Sequence, residues 1–400
     1  MVSSASYLVV GEPEELVPIS PERIVGPDLM DIYAKVHQAQ RLSFEDGVRL
    51  FHAPLTAVGY LANLDRERRW GDQTFYVRNQ HINYTNICNK FCKFCSFYAK
   101  KGGPAPYEMS LDEVRRRLGW HRDTPLTEVH MVAGINPRLS YQYYLDLVRT
   151  VKEVRPEVHV KAFTAVEIVQ IAQVGKVSVE QALLDLMDVG LDSLPGGGIE
   201  ILSPRVHEQL FGKKLNGEEW KDVARCAAKL GLKQYATMLY GHIETIEERV
   251  DHLVQVRELQ DETGHFLTMT PLSFHPEGTE LEHIEHPTAD LDLRCIAISR
   301  LMLDNFDHIK SFWIMNSVPV TQAAQWYGAD DVDGLVHEYE ITYQDGDFGN
   351  KSQALTAGNM ARMIREAGRI PVERDSLYEE IVRHEPEPTP RRLTPLATVK

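Results

Sequence analysis

Three cysteines lie close together with the spacing of a metal site. Cys88, Cys92 and Cys95 form a CxxxCxxC pattern directly after an apolar run that is typical of a β-strand. Thiolates are soft ligands that suit iron–sulfur clusters or zinc. Three thiolates on one short loop would coordinate three irons of a 4Fe-4S cube and leave the fourth iron open to an exogenous ligand. The spacing therefore predicts a 4Fe-4S cluster on this loop.

Two other metal sites remain open as alternatives. A structural zinc site normally has four ligands and often two CxxC pairs, and the sequence has no second pair. An electron-carrying ferredoxin normally uses four cysteines and needs no large domain around them. Cys226 and Cys295 fall within predicted amphipathic helices, where a lone cysteine is usually a small buried side chain. Iron and zinc analysis would separate these alternatives.

The elements around the cysteines alternate between short apolar runs and longer amphipathic stretches, which indicates repeated βα units. Such repetition favours a parallel sheet, and this many units favour a (β/α) TIM-type barrel, full or partial. A doubly wound open sheet is the alternative. The predicted strands lie within residues 80–87, 127–134, 157–168, 191–198, 233–242, 265–274 and 309–318.

We expect four segments along the chain. Residues 1–75 form a lead-in with helices that pack on the barrel, and residues 76–320 form the barrel core. Residues 321–383 complete the barrel, with a strand at 335–343 and helices at 356–368 and 373–383. Residues 384–400 are rich in proline, which predicts a disordered tail.

The cysteine motif, with the aromatic Phe94 before the third cysteine and a βα barrel after it, resembles the radical S-adenosylmethionine (SAM) superfamily. The resemblance implies a 4Fe-4S cluster whose open iron chelates the methionine amino and carboxylate groups of SAM. Electron transfer into the sulfonium then yields a 5′-deoxyadenosyl radical. The protein orients these groups and excludes water.

The same resemblance implies where SAM is bound, because barrel enzymes place their site residues at the carboxyl ends of the strands. Three successive glycines after the fourth strand would let the backbone approach a ligand closely, although a plain flexible loop would look alike. Helix capping is an equal alternative for several of the polar residues. The residues implied to bind the cofactor are Phe94, Ala133, Gly134, Thr164, Glu167, Gly197, Glu200, Tyr240 and Gly241.

Within the superfamily, residues 30–380 resemble the menaquinone-pathway and deazaflavin-pathway branch. The phrases that carry the likeness include HINYTNIC, HVKAFTAVEI, LPGGGIEIL and GRIPVERDSLY. MLYGHIET and PLSFHPEGTEL look most similar to the aminofutalosine synthases. That likeness implies addition of the adenosyl radical to the enol ether of 3-[(1-carboxyvinyl)oxy]benzoate, which gives 6-amino-6-deoxyfutalosine. Dehypoxanthine futalosine cyclase and deazaflavin-type synthases are the alternatives.

A substrate with two carboxylates needs cationic or hydrogen-bond donor groups at the barrel mouth. We expect His242 and His275 to be catalytic, although a lone histidine at a strand end is often structural. The residues predicted to contact the substrate are Tyr84, Asn86, Arg138, Arg205 and Asn316.

The composition limits the partners of the chain. Its formal net charge is −15 and its pI is about 5.5, which disfavours nucleic acid and acidic membrane surfaces. A small-molecule substrate is expected, and the resemblance implies an electron donor such as flavodoxin or ferredoxin. We see no run of eighteen apolar residues and no signal peptide, so we expect a cytoplasmic protein.

Overall fold

A parallel sheet of seven strands forms the centre of the molecule. A computed structural model describes residues 20–120, 125–335 and 354–384. The seven strands, β2 to β8, lie side by side in the order in which the chain makes them, and each is parallel to its neighbour. The strands are β1 (Gln73–Val77), β2 (Asn79–Ile82), β3 (Glu128–Met131), β4 (His159–Ala162), β5 (Ser193–Leu194), β6 (Lys233–Tyr240), β7 (Phe266–Ser273), β8 (His308–Ile309), β9 (Asp331–Gly334), β10 (Ile370–Arg374) and β11 (Glu380–Arg383).

Helices connect these strands, so the predicted (β/α) barrel type is confirmed in its partial form. Apolar side chains of the sheet, such as Val129 and Val160, and of the helices, such as Leu147 and Ile168, share one buried core. The helices are α1 (Pro21–Val25), α2 (Met30–His37), α3 (Phe44–His52), α4 (Leu55–Trp70), α5 (Leu111–Trp120), α6 (Tyr141–Val154), α7 (Ala165–Gly175), α8 (Val179–Asp188), α9 (Pro204–Leu210), α10 (Gly217–Lys229), α11 (Ile246–Thr263), α12 (Ala289–Met302), α13 (Trp313–Asn316), α14 (Val318–Ala324) and α15 (Ala357–Glu366).

The helices before the barrel begin and pack as their sequence indicates. Ser43 caps α3 in a capping box: its hydroxyl accepts the Asp46 N–H, and the Asp46 carboxylate accepts the Ser43 N–H. Helix α4 packs against α12 of the barrel. Helices α1 to α4 lie within the segment for which helices are predicted, whereas the first nineteen residues of the lead-in lie outside the described part of the chain.

A second sheet of four strands closes the end of the barrel where the strands begin. Its order is β11-β10-β1-β9, and β1 runs parallel to both β9 and β10. Only Arg78 separates β1 from β2, and an isolated bridge joins Lys310 to Asp331, so the two sheets are connected at both sides.

One predicted helix is wrong. Residues 373–383 end β10 and form β11 instead, because β10 pairs along its whole length with β1 and antiparallel with β11. The turn between them is fixed by Asp375, whose carboxylate accepts the N–H groups of Leu377 and Glu379, both at 2.8 Å. Tertiary strand pairing thus overrides the local helical pattern.

The other C-terminal predictions fare differently. Helix α15 lies where a helix was expected. The strand predicted at 335–343 and the tail at 384–400 fall outside the described residues, apart from Leu335 and His384. In the described ranges no helix is both long and apolar enough to cross a bilayer.

Candidate active site

One cavity of about 340 Å³ occupies the interior of the barrel. The three cysteines of the loop after β2, hereafter the cysteine loop (residues 88–95), line one end of it. Side chains from the middle of β2, β3, β4 and β6 line the other end. The cavity is therefore bounded by a soft-ligand set at one end and by polar strand residues at the other.

Backbone hydrogen bonds hold the cysteine loop against three neighbouring segments. The Lys93 N–H donates to the Leu210 carbonyl at 2.9 Å, and the Lys93 carbonyl accepts the Glu280 N–H at 2.9 Å. The Asn89 N–H donates to the carbonyl of Ile135, beyond β3, at 3.0 Å. The positions of the thiols are thus set by the surrounding barrel rather than by the loop alone.

The thiols lie beside a buried cation. Burial raises the pKa of Cys92 to about 12, while the charge of Lys214 acts to lower it. Burial also raises the pKa of Cys95, against the N–H groups of Tyr98 and Phe97, which donate to its sulfur. Lys214 forms a buried ion pair with Glu200 and lies 5.2 Å from the centroid of the Phe94 ring. A positive charge and N–H donors near sulfur favour the thiolate form that metal binding requires.

Glu167, in the first turn of helix α7, accepts hydrogen bonds from residues that precede the cysteine loop and that follow β3. It completes a capping box with Thr164, and its carboxylate also accepts the Tyr84 hydroxyl at 2.7 Å and the Ala133 N–H at 3.1 Å. Burial raises the pKa of Glu167 to about 7, although these hydrogen bonds act in the opposite direction. The capping role considered for both residues is therefore present, and both side chains also line the cavity.

Close backbone packing shapes the cavity wall at two glycines. A Cβ on Gly134 would lie 2.4 Å from the Ile87 carbonyl oxygen, so only glycine lets the segment after β3 approach the backbone just before the cysteine loop this closely. Gly197 has φ +97°, a conformation that side chains rarely adopt. Its carbonyl accepts the indole N–H of Trp220 at 3.1 Å, which fixes the loop.

The structure brings most of the predicted cofactor residues to this cavity, together with one predicted catalytic residue. His275 lines the cavity, its ring Nε2 lies 2.9 Å from the Met315 carbonyl oxygen, and burial lowers its pKa to about 4. The predicted residues in the wall are Cys88, Cys92, Cys95, Phe94, Ala133, Gly134, Thr164, Glu167, Gly197, Glu200 and His275.

The remaining predicted residues lie elsewhere. The side chain of His242 is fully buried, with Nδ1 2.8 Å from Glu244 and Nε2 3.0 Å from the Leu239 carbonyl oxygen. Arg205 is paired with Glu248 on the surface. Within the described residues, those predicted as site residues but absent from the cavity wall are Tyr84, Asn86, Arg138, Arg205, Tyr240, Gly241, His242 and Asn316.

Several of these residues support the site from behind it. The Tyr84 hydroxyl donates to Glu167. Asn86 donates to the Ala105 carbonyl and accepts the Tyr107 N–H, which orders the chain after the cysteine loop. The Asn316 amide donates to the Tyr240 hydroxyl at 2.9 Å, and that hydroxyl donates to Asp292 at 2.7 Å. Their contacts in this structure are with the protein itself.

Sequence analysis missed the polar residues at the inner end of the cavity. His81 and His130 face it from the middle of β2 and β3, and Lys310 and Asp333 face it from the segments after β8 and within β9. The sequence does give one indication of such residues: a lone charged or imidazole side chain within an apolar strand. Which face of the sheet each one occupies depends on register, which sequence does not reveal.

Comparisons with known proteins agree with this arrangement. The family model described as the radical SAM superfamily matches residues 82–256, and the CofH/MqnC C-terminal region matches residues 263–388. The aminodeoxyfutalosine synthase of Thermus thermophilus is 43% identical over 363 residues, which cover 90% of this chain and 97% of the relative. The chain belongs to the radical SAM superfamily.

Other radical SAM relatives are also similar along most of their length. The aminodeoxyfutalosine synthase of Streptomyces coelicolor is 38% identical, over 91% of this chain and 97% of the relative. The cyclic dehypoxanthine futalosine synthase of Halalkalibacterium halodurans is 33% identical, over 88% of this chain and 94% of the relative. A 5-amino-6-(D-ribitylamino)uracil–L-tyrosine 4-hydroxyphenyl transferase of Methanococcoides burtonii is also 33% identical, over 84% of this chain and 95% of the relative. Relatives with three names are therefore similar to this chain, and the two aminodeoxyfutalosine synthases have the higher identities.

Solved structures share the fold of this radical SAM protein at low sequence identity. A methylornithine synthase superposes with a TM-score of 0.70 at 18% identity, covering 85% of this chain and 97% of that chain. The FeFe-hydrogenase maturase HydG from Carboxydothermus hydrogenoformans gives a TM-score of 0.67 at 14% identity, covering 90% of this chain and 83% of that chain. These likenesses concern the fold.

The cysteine loop fits the iron–sulfur cluster that radical SAM membership implies. Its three thiols are close enough to influence one another electrostatically, and all three face the same cavity. Backbone N–H groups donate hydrogen bonds to the sulfurs of Cys88 and Cys95. Soft ligands, N–H donors to sulfur and a cavity beside them suit a cluster with one open iron.

Proposed function

We propose that the chain is an aminodeoxyfutalosine synthase, which joins the adenosyl group of SAM to 3-[(1-carboxyvinyl)oxy]benzoate. The product would be 6-amino-6-deoxyfutalosine, formed with release of methionine from SAM and of the enol-ether carboxyl carbon as carbon dioxide or bicarbonate. The observation that carries the proposal is the 43% identity over nearly the full length of a relative of that name. A cavity that runs from three thiols to a polar end with two lysine ammonium groups supports it, because the substrate carries two carboxylates.

The residues in the cavity wall have distinct tasks in this reaction. Cys88, Cys92 and Cys95 would hold the cluster, and one-electron cleavage of the bound SAM sulfonium is the chemistry that cluster and SAM supply together. Gly134 lets two backbone segments of the wall pack closely, and Gly197, with φ +97°, leaves the loop after β5 without a side chain facing the cavity. Glu167 lines the cavity with a carboxyl whose pKa burial raises to about 7, so near neutral pH it could exchange a proton or a hydrogen bond with a bound ligand. The apolar wall excludes water from the reacting carbon.

We infer that an acidic one-electron carrier, such as a flavodoxin or ferredoxin, docks on the outer surface of the cysteine loop. Phe91, between the first two cysteines, is 50% exposed, and the ammonium of Lys213 lies 4.7 Å from its ring centroid. Lys90 and Lys93 lie in the loop, Lys100 and Lys101 follow it in sequence, and Lys213 lies against Phe91, in a chain whose formal net charge is −15.

Reversing charge on this surface should slow delivery of electrons by the protein carrier. The double change Lys93→Glu and Lys213→Glu should reduce turnover with flavodoxin roughly tenfold or more at low ionic strength, since steering depends on such local charge. Turnover with methyl viologen as reductant should change little. Lys229→Glu, at the exposed end of α10, is the matched control. Equal loss with both reductants would contradict docking at this surface.

The function itself is tested by product analysis. Anaerobically reconstituted protein is incubated with reductant, SAM and 3-[(1-carboxyvinyl)oxy]benzoate, and aminodeoxyfutalosine is sought by mass spectrometry. Its formation is the expected result. Release of 5′-deoxyadenosine alone, with the benzoate unchanged, would refute the proposal. Parallel incubation with dehypoxanthine futalosine tests the cyclase reaction instead.

A further inference from the structure

The inner end of the cavity is a layer of polar side chains that the proposed reaction has not yet used. His81 is in register with His130, and His130 is in register with Lys161, so β2, β3 and β4 present three adjacent polar groups. From the other side, Lys310 approaches the same place: the ammonium groups of Lys161 and Lys310 lie 4.4 and 5.7 Å from the centroid of one ring, Tyr235. All five residues line the cavity.

The charges in this layer are balanced in the structure. Lys161 pairs with Glu128 at 2.6 Å, and Lys310 pairs with Asp333 at 2.5 Å, with all four side chains buried. Each ammonium has three N–H donors and one carboxylate partner among the described residues, so donors remain for a ligand. A buried layer with two cations, two anions and no excess charge is stable when empty, because unpaired buried charge is costly.

Some buried polar atoms of the cavity wall have no hydrogen-bond partner within the described part of the chain. They include the Nε2 of His130 and the hydroxyl of Thr237, and both side chains line the cavity. Folded proteins leave few buried polar atoms unpaired, and those at a cavity wall usually face a ligand or water. With the two ammonium groups, they give the wall of this one cavity four groups that can donate hydrogen bonds. A carboxylate is the group that such a set of donors recognises.

The direction in which the substrate lies follows from the proposed function, on which this inference rests. The enol-ether carbon must face the end of the cavity that carries the cysteines. The benzoate carboxylate is the group of the substrate farther from that carbon, so it extends toward the inner end. We propose that Lys161, Lys310 and His130 bind the ring carboxylate of the substrate, and that one proton enters the site with it.

The proton follows from charge balance. A carboxylate added to a neutral layer leaves one unpaired buried negative charge, and protonation of one imidazole removes it. Burial lowers the pKa of His81 to about 4 and that of His130 well below its usual value, so both are neutral before binding at pH 7. The groups that face His130 are Lys161, His81, Glu128 and Asp333, and Lys310 also faces His81.

Only one of the two imidazoles is expected to take the proton. Their ring centroids are 4.6 Å apart, at which distance two positive charges would repel strongly. An added carboxylate raises the pKa of the imidazole it contacts. His130 is in register with Lys161, and its Nε2 has no hydrogen-bond partner in the described residues, so His130 is the imidazole expected to contact the carboxylate and take the proton.

Calorimetry on the reconstituted protein with SAM and without reductant tests this, since binding is then measured without turnover. The probes are 3-[(1-carboxyvinyl)oxy]benzoate and the analogue in which the ring carboxylate is an amide. Titration at pH 7 in two buffers of different ionisation enthalpy should show uptake of about one proton for the parent and none for the amide. The amide should bind roughly tenfold to a hundredfold more weakly.

Two variants separate recognition from folding. His130→Gln breaks no hydrogen bond found in the structure. It should lower the proton uptake and weaken binding of the parent substrate roughly tenfold, while binding of the amide analogue should not change. The double change Lys310→Met with Asp333→Asn removes an ion pair as a unit and should have the same selective effect. Lys152→Met, on the outer helix α6, is the control and should bind both probes as the unmodified protein does.

The outcomes distinguish this inference from the proposed function. Equal affinity for both probes, or no proton uptake, would overturn the inference even if aminodeoxyfutalosine is formed. Selective binding of the ring carboxylate without product would support the carboxylate site and refute the synthase activity. If His130→Gln keeps its fold by circular dichroism but no longer binds either probe, that result would also count against a specific carboxylate contact.

Discussion

At the scale of single residues, the site combines groups whose ionisation is set by burial and by neighbours. Lys214 provides a positive charge beside Cys92, and Glu200 balances that lysine within the same wall. Glu167 receives hydrogen bonds from donors on three different segments. Each of these groups is held by partners that the sequence places far apart, so their properties belong to the folded barrel.

Loss of one cysteine of the loop should remove the cluster. Cys92→Ala leaves two thiols, and we expect iron to fall from about four per chain to near zero after reconstitution. Iron and sulfide assays with the visible absorption spectrum measure this. Cys226→Ala, in helix α10, is the matched control and should keep its iron. Retention of about four irons by Cys92→Ala would contradict the assignment of this ligand.

The raised pKa of Glu167 should be visible in the pH dependence of stability. Its pKa is about 7 in the folded chain and near 4.5 when unfolded, so the folded state binds the extra proton between these values. This contribution to the free energy of unfolding is fully present below about pH 4.5 and is lost as pH rises through 7. Between pH 5 and 8, the free energy of unfolding of the unmodified protein should therefore fall by on the order of 2 kcal/mol relative to that of Glu167→Gln.

Urea denaturation at three pH values measures this difference. Glu157→Gln, at an exposed turn, is the control and should follow the unmodified protein at every pH. Parallel curves for Glu167→Gln and the unmodified protein would mean that the carboxyl titrates in its ordinary range.

At the scale of elements, the cysteine loop depends on how closely the segment after β3 approaches the backbone just before the loop. An alanine Cβ at position 134 would lie 2.4 Å from the Ile87 carbonyl oxygen, which is backbone and cannot rotate away. Gly134→Ala should therefore cost roughly 1–3 kcal/mol of stability and lower the iron content, because the loop must shift. Gly119→Ala, in helix α5, has no atom within 4 Å of the new Cβ and is the control.

Urea denaturation and iron analysis of both variants test this close approach. An iron content and stability equal to those of the unmodified protein in Gly134→Ala would show that the loop adjusts freely. If Gly119→Ala lost as much stability and iron as Gly134→Ala, the result would point to a general effect of replacing glycine by alanine.

The sequence predicts elements better than it predicts their partners. Cys88, Cys92 and Cys95 are identified by spacing alone, and the strands of the barrel are recognised by alternation with helices. The helix predicted at 373–383 is wrong because pairing of β10 with β1 decides its conformation. Arg205 looks available for a substrate in sequence, yet folding brings Glu248 to it. Register and long-range pairing are the quantities that one sequence does not contain.

At the scale of the whole molecule, one strand joins the two sheets through buried charges. Three aspartates on or next to β9 each pair with a cation from a different element. Asp330 pairs with Arg300 of α12, and Asp333 pairs with Lys310 after β8. The third pair joins Asp331 to Arg374 of β10, with Asp331 Oδ2 2.8 Å from Nε and 2.5 Å from Nη2.

This charged strand also closes the end of the cavity proposed to bind a carboxylate. The turn after β10 reaches under the barrel, where the Ser376 hydroxyl donates to Glu128 at 2.8 Å. The Tyr235 hydroxyl donates to the Ser376 carbonyl at 2.6 Å, and Tyr378 stacks on His308 with ring centroids 3.5 Å apart. The inner layer of the cavity is thus held in place by the C-terminal strands, which lie beyond the region matched to the radical SAM family model.

Removing one partner of a fully buried pair in this strand should destabilise the whole molecule. Asp331→Asn leaves Arg374 as an unpaired buried charge, which costs roughly 3–5 kcal/mol, so the midpoint of urea denaturation should fall sharply. Asp112→Asn breaks an exposed pair with Arg115 and should cost under about 1 kcal/mol. Hydrogen exchange should accelerate in β1, β9 and β10 of Asp331→Asn more than in β6 and β7. Faster exchange confined to β10 would show that the pair holds only its own strand, and that the two sheets are coupled by other contacts.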